Sequence, residues 1–343
     1  MKKLIPILFM NIIVIFTILA GCSVQNNTTE SNAAKTKGTS SGNYPNRQIE
    51  LVVPFAAGGG VDLAARAVAD YLSKEWGQPV VVVNKTGGGG IVGAQYVLLE
   101  SKPDGYTVLM NNNSSTTMYE AGTTQPILTA KSHQFAARVA ESPLVYAVKS
   151  DAPWKDLKEF TEWVKENPEQ LTWASVGPAG FSSFGVAEWL DSVGVDYTKT
   201  QMVSSEGASD SAAKVAGGHV ILAVHNAGEV YSLVESGKLK VLAVQGSERS
   251  PLYPDVPTTE ELGFPNLSVS WWTGISLPKD TPKDIVKKWE AAIEKMQQDK
   301  QFQAQLEKIY LQPGYLNSSD FTKKVQEEVE WYTELAEKTG IRK

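Results

Sequence analysis

The sequence predicts an α/β fold built on an open, doubly wound sheet. Three observations carry that expectation. Between Ile49 and Met110, short apolar runs alternate with segments whose apolar residues recur at helical spacing. Two glycine-rich stretches, Pro54 to Gly60 and Asn84 to Gly90, each separate an apolar run from a helical one. Val80-Val81-Val82-Val83 is apolar without alternation, which suggests a strand covered on both faces, as in parallel sheets.

Taken in order, Ile49 to Val53 reads as a buried strand, and Val61, Ala64, Val68, Tyr71 and Leu72 give the next segment a helical stripe. Pro79 to Val83 is the second strand, and a second helix begins near Ile91. Asp104-Gly105 marks a turn before a third strand, Tyr106 to Met110. This β-loop-α-β-loop-α-β order is the start of an open doubly wound sheet. The middle of the chain repeats the theme less clearly. Leu144 to Val148, Leu171 to Ser175, Val220 to Val224 and Leu239 to Val244 read as strands. Trp154, Leu157, Phe160 and Trp163 form a helical stripe, and Gly177 to Gly180 leads into another helix. Two helices follow near the end, on Ile285, Val286, Trp289 and Ile293 and on Phe321, Val325, Val329 and Tyr332.

The chain opens with Lys2 and Lys3, then an apolar run from Leu4 to Leu19. With the small residues that follow, this is the pattern of a secretory leader over residues 1–21. Leu19-Ala20-Gly21-Cys22 resembles a bacterial lipobox, in which cleavage leaves Cys22 lipidated. The competing reading is an uncleaved anchor, for which the run is only marginally long. Residues 22–43 hold Ser, Asn, Thr, Gln and Gly without an aromatic before Tyr44, and read as a flexible tether. Cys22 is the sole cysteine, so no intramolecular disulfide is available and core packing must hold the fold. A length of 343 residues suffices for one or two domains. Net charge is −6, and loss of Lys2 and Lys3 with the leader makes it −8. An acidic globule is a poor partner for nucleic acid.

The glycine loops carry the functional signal. Each precedes a helix, whose first turn offers unpaired N–H groups and the positive end of a dipole. Glycine lets a ligand approach that backbone closely. Two such loops side by side suit a carboxylate or a phosphate. Asp62 can cap its helix or accept a hydrogen bond from a ligand. A rival reading is the dinucleotide fingerprint, because Gly88-Gly89-Gly90-Ile91-Val92-Gly93 fits G-x-G-x-x-G. That fingerprint wants an acid about 20 residues on, where this chain has Asn111, Asn112 and Asn113. His133, His219 and His225 fall in no metal-ligand spacing and read as structural, and no G-x-S-x-G elbow occurs. No catalytic residue, metal or cofactor is expected.

Ile49-Glu50-Leu51-Val52-Val53-Pro54-Phe55, Gly58-Gly59-Gly60-Val61-Asp62, Gly77-Gln78-Pro79-Val80, Pro103-Asp104-Gly105-Tyr106-Thr107, Gly217-Gly218-His219-Val220, Pro254-Asp255-Val256-Pro257-Thr258 and Trp272-Thr273-Gly274 occur in that order. In these pieces the chain, from about Tyr44 to its end, resembles the extracytoplasmic receptors of tripartite tricarboxylate transporters, the Bug or TctC-like family.

The resemblance implies a two-domain fold like type II periplasmic binding proteins, with a ligand cleft between two α/β domains. Residues 44–142 and 268–343 would form the first domain and 143–267 the second, with crossings near 140–145 and 265–272. It implies a ligand site at Phe55, Ala57, Gly58, Gly59, Gly60, Asp62, Gly88, Gly89 and Gly90, with Asn113 and Ser114 from the third strand. The second domain would add Ser175, Gly180, Ser182, Ser183, Ser205 and Glu206. The expected function is that of a monomeric, membrane-tethered receptor. It would bind a small organic carboxylate and deliver it to membrane permease subunits, without chemistry on the ligand. A sensor co-receptor or an exported enzyme using the same cleft are the alternatives. Two departures bear on the ligand. The family often has Tyr-Lys-Gly where this chain has Ser205-Glu206-Gly207, and His-Leu where it has Phe184-Gly185. Both are expected on the side that reads the distal part of the ligand. A Glu206 pointing inward would repel a second carboxylate and suit an amine or a hydroxyl.

Overall fold

The computed structural model describes residues 43–264 and 267–342. The leader, Cys22 and all but the last residue of the tether lie outside the described residues. The first unit runs β1 (Ile49–Val53), α1 (Gly60–Trp76), β2 (Val80–Asn84), α2 (Ile91–Gln95), β3 (Thr107–Asn112), α3 (Tyr119–Gly122) and β4 (His133–Ser142). The middle runs β5 (Leu144–Lys149), α4 (Leu157–Glu166), β6 (Thr172–Ser175), α5 (Phe181–Ser192), β7 (Gln201–Ser204), α6 (Ala208–Ala216), β8 (Leu222–Asn226), α7 (Ala227–Glu235) and β9 (Leu239–Val244). The end runs β10 (Trp271–Pro278), α8 (Lys283–Gln297), α9 (Lys300–Lys308), β11 (Gln312–Leu316) and α10 (Ser318–Thr339).

These strands make two sheets, in the orders β11-β4-β10-β3-β1-β2 and β7-β6-β8-β5-β9. The fold is therefore α/β with two sheet-centred domains. The chain leaves the first sheet after Ser142, enters the second at Leu144, and returns between Val244 and Trp271. Each sheet is mixed. β2, β1 and β3 are parallel, while β10 runs antiparallel to β3 and β4. In the second sheet β7, β6 and β8 are parallel and β5 is antiparallel to β8 and β9.

The alternation along β1 sets the layers. Ile49, Leu51 and Val53 pack with Val61, Ala64, Val68 and Leu72 of α1 and Trp289 of α8. Val52 points the other way, into Ile91, Ala94, Val97 and Leu109. So α1 and α8 cover one face of the first sheet and α2 the other. Gly77, at φ 62°, ends α1 in the left-handed conformation common at helix C-termini, which glycine adopts without strain. In the second domain Phe160 stacks on Trp189 and Tyr146 meets it edge-on, and the Trp189 indole N–H donates to Thr161 at 3.0 Å. α10 touches both domains. Trp272 Nε1 donates to Glu328 at 2.8 Å, while Tyr332 meets Phe184 edge-on at 5.1 Å.

One expectation is corrected. The unbroken Val80–Val83 run predicts a strand covered on both faces, yet β2 is the edge strand of its sheet and Val81 is exposed. The unbroken Val run reflects parallel pairing with β1. Parallel pairing does not fix how deep in the sheet a strand lies. No described helix is long and apolar enough to cross a membrane.

Candidate functional site

The parallel strands of both sheets end at one cleft, where open α/β sheets commonly place ligands. From the first sheet come the loop after β1, the end of β3, and Trp271 at the start of β10. From the second come Val176 after β6, Glu206 and Gly207 after β7, His225 at the end of β8 and Glu229 on α7. They enclose a cavity of 250 Å³. This is near the lower end of small-molecule sites, about 300–1,000 Å³. The first turns of α1, α5 and α6 all reach it.

Of the residues expected from sequence, Phe55, Ala57, Gly59, Gly60, Ser114, Ser182 and Glu206 line this cavity. Gly88, Gly89 and Gly180 line a neighbouring cavity of 450 Å³, which shares Ser114 and Val176 with the first. Gly58, Asp62, Gly90, Asn113, Ser175, Ser183 and Ser205 line neither. These shape the loops instead. Asp62 accepts from Gly58 N at 2.9 Å, Asn84 Nδ2 at 2.9 Å, and Arg66 Nε and a terminal Arg66 nitrogen at 2.9 and 3.0 Å. Burial pushes its carboxyl pKa up, but those donors outweigh it and hold the group below the usual carboxylate range. Its oxygens are thus committed to closing the first glycine loop. Asn84 Nδ2 also donates to Phe55 O at 3.0 Å, fixing the loop to the end of β2.

Gly90 has φ 102°, and a Cβ there would come within 2.8 Å of the Phe55 ring. Its missing side chain leaves room for the close approach of the Phe55 ring to the second glycine loop. Ser175 and Ser183 both donate to Gly177 O, at 3.0 and 2.7 Å, and pin the loop before α5. Ser182 lines the cavity, but its hydroxyl donates to Val224 O at 2.7 Å. Asn113 Nδ2 donates to Ser270 O, joining the end of β3 to the second crossing. Ser205 N donates to Ser175 O at 2.8 Å and extends the β6–β7 pairing. The Phe184-Gly185 departure faces elsewhere than expected: Phe184 is buried against Tyr332, and neither residue lines either cavity. Glu206 does line the first cavity.

Two hydrogen bonds cross the cleft. Phe181 N, at the start of α5, donates to Ser114 Oγ at 3.1 Å. Gly60 N, at the start of α1, donates to Glu229 Oε1 at 3.1 Å. Glu229 thus rests on backbone that the glycine loop offers to anions. Sequence reasoning missed Glu229 for a clear reason. Asn226 caps α7 by accepting from Glu229 N at 3.1 Å, so a Glu three residues after Asn226 reads as an ordinary helix-start acid. His225, which its sequence context suggests is structural, lines the cavity. Its Nδ1 is 3.7 Å from Glu229 Oε2, beyond hydrogen-bond range, and its buried Nε2 has no partner. His133 is a core residue, with Nδ1 2.9 Å from Ser276 Oγ.

Burial pushes the Glu229 pKa up to about 7 against the pull of the Gly60 N–H, and burial lowers His225 to about 4. The sign for Glu229 follows. Its folded value exceeds the unfolded 4.5, so its contribution is full below 4.5 and is lost as pH rises through about 7. Glu229→Gln should therefore leave stability nearly unchanged at pH 4. It should stabilise the protein progressively up to pH 8, by roughly 3 kcal/mol at the top. Urea melts of both proteins across that range check this. The difference between them isolates Glu229 from His225 and His133, which titrate in both.

The comparisons with known proteins fit this architecture. A family model described as "Tripartite tricarboxylate transporter family receptor" matches residues 64–341. The chain belongs to that family. A Cupriavidus necator relative, "UPF0065 protein in gbd 5'region", is 32% identical over 88% of this receptor and 90% of its own length. The solved structure of MatC from Rhodopseudomonas palustris with bound malate superposes with a TM-score of 0.77 at 27% identity, covering 85% of the receptor and 100% of MatC. Another R. palustris protein, solved with adipate, reaches 0.79 at 25% identity and covers 87% and 98%. The family is one of solute-binding receptors, and this receptor shares its two-domain fold.

Proposed function

We propose that the protein is an extracytoplasmic receptor that binds a small organic carboxylate in the 250 Å³ cleft and hands it to a tripartite tricarboxylate-type permease. The observation that carries this reading is the convergence of three helix N-termini, α1, α5 and α6, from both domains on one small cavity. Each presents backbone N–H groups and a positive dipole end, which together suit a carboxylate without a basic side chain. Relatives of the same fold hold malate and adipate. The Ser182 hydroxyl is committed to Val224 O, so it is poorly placed as a nucleophile, which favours binding over chemistry. Cys22 would carry the lipid, residues 22–43 the reach to the permease, and the globule would lie outside the cytoplasm.

A thermal titration tests the reading. A ligand that binds only the folded state raises stability by about 2.7 kcal/mol at 100 times its Kd. For a chain of this size that moves the melting point by roughly 4 °C. At least one acid in a panel of mono-, di- and tricarboxylates should do so in a concentration-dependent way. A sugar or a nucleotide shifting the melt where no carboxylate does would sink the proposal.

A further inference from the structure

Glu229 is the group that a plain carboxylate receptor does not need. We infer that the cleft takes an acid that also carries a protonated amine, with Glu229 receiving the amine and His225 Nε2 and Glu206 completing its surroundings. This rests on the receptor reading above and narrows its ligand class.

Three acidic side chains, Glu206, Asp210 and Glu229, line the cavity, and no Lys or Arg does. Asp210 is matched by Lys214, its ion-pair partner one turn along α6. Glu206 and Glu229 have no Lys or Arg partner among the described residues. The nearest candidate cation to Glu229 is His225, and burial keeps that ring neutral at physiological pH. A carboxylate of this kind, with a side chain only 15% exposed, is costly unless a cation arrives. A second ligand carboxylate would worsen the charge, whereas an ammonium group would complete it.

The donors and acceptors fit as well. The carboxylate beside Nδ1 favours the ring proton there, leaving the His225 Nε2 lone pair free. That atom is buried, has no partner, and belongs to a residue lining the cavity. An ammonium has three N–H donors, and Glu229 Oε2, His225 Nε2 and the more exposed Glu206 can receive them. Phe55, Phe181 and Trp271 line the same space, and aromatic rings there also favour a cation. Because Glu229 already holds the Gly60 N–H and Ser114 the Phe181 N–H, the ligand carboxylate is directed to Ser182 in the first turn of α5 and to Ala208 and Ser209 in that of α6.

Matched pairs test this by calorimetry: succinate with aspartate, glutarate with glutamate, adipate with 2-aminoadipate. In the pair that fits the cleft, the amine-bearing acid should bind at least about tenfold tighter, the scale of one charge-assisted hydrogen bond. Glu229→Gln, verified folded by its melting curve, should erase most of that preference, and Glu206→Gln should reduce it. Diacids binding as tightly as their amino derivatives, or a preference untouched by Glu229→Gln, would overturn the inference and leave the carboxylate receptor standing. Failure of both members of every pair would overturn both.

Discussion

Gly60→Val should weaken ligand binding by more than about 100-fold, over 2.7 kcal/mol, while the protein still folds. The backbone at Gly60 is helical, so valine is locally acceptable as the first residue of α1. The space beyond it is not free. A Cβ there would lie 3.1 Å from Asn226 Nδ2, 3.1 Å from Glu229 Oε1 and 3.4 Å from Trp271 Cζ2. The two valine methyls reach further than that Cβ. They must displace Glu229 from the Gly60 N–H and hold the two domains apart, and they fill the floor of the cleft. The expected signature is a melting transition near that of the native protein together with a flat calorimetric titration. Unfolding of the variant would show that Gly60 serves the core rather than the cleft.

Glu188→Ala should destabilise the protein by roughly 3 kcal/mol, because it strands several donors in the interior. Glu188 sits on α5 and is only 5% exposed. Its carboxylate accepts from the backbone N–H groups of Ser268 and Val269, from Ser268 Oγ at 2.9 Å and from Gln245 Nε2 at 3.4 Å. It therefore fastens the returning segment of the second crossing to the second domain. Burial raises its pKa, although those donors pull it back. Alanine leaves the Ser268 and Val269 N–H groups without a partner, whereas Glu188→Gln keeps one acceptor oxygen and should lose less. Urea denaturation of the three proteins gives the ranking. A loss below about 1 kcal/mol for alanine would mean that water replaces the carboxylate.

Sequence reasoning reached furthest where local signals agreed. β1, the first glycine loop and α1 are a strand, a turn and an amphipathic stripe in series, and all three appear as expected. The missed strands lacked such agreement. β4 reads His133-Gln134-Phe135-Ala136-Ala137-Arg138 and holds no β-branched residue until Val139. β10 carries Gly274, whose Cβ would lie 2.8 Å from Ala137 O, and this close approach makes glycine necessary in a strand that its sequence disguises. β11 contains Pro313 and Gly314, acceptable because it is an edge strand.

The site divides along the same line. Phe55, Gly59 and Gly60 were legible because a glycine loop before a helix has a mechanism on its face. Asp62 was ambiguous from sequence, and Arg66 and Asn84 decide its place by consuming its oxygens. Glu229 and Trp271 reach the cleft from the far ends of other elements, and only the tertiary fold brings them there.

The central claim is that one cleft between two sheets binds a small acid. Calorimetric titration of the native protein and of Gly60→Val with the same carboxylate panel tests it most directly. The account predicts saturable binding of at least one acid at one site per chain, and none to the variant. Absence of binding by every acid, or equal binding by both proteins, would contradict it.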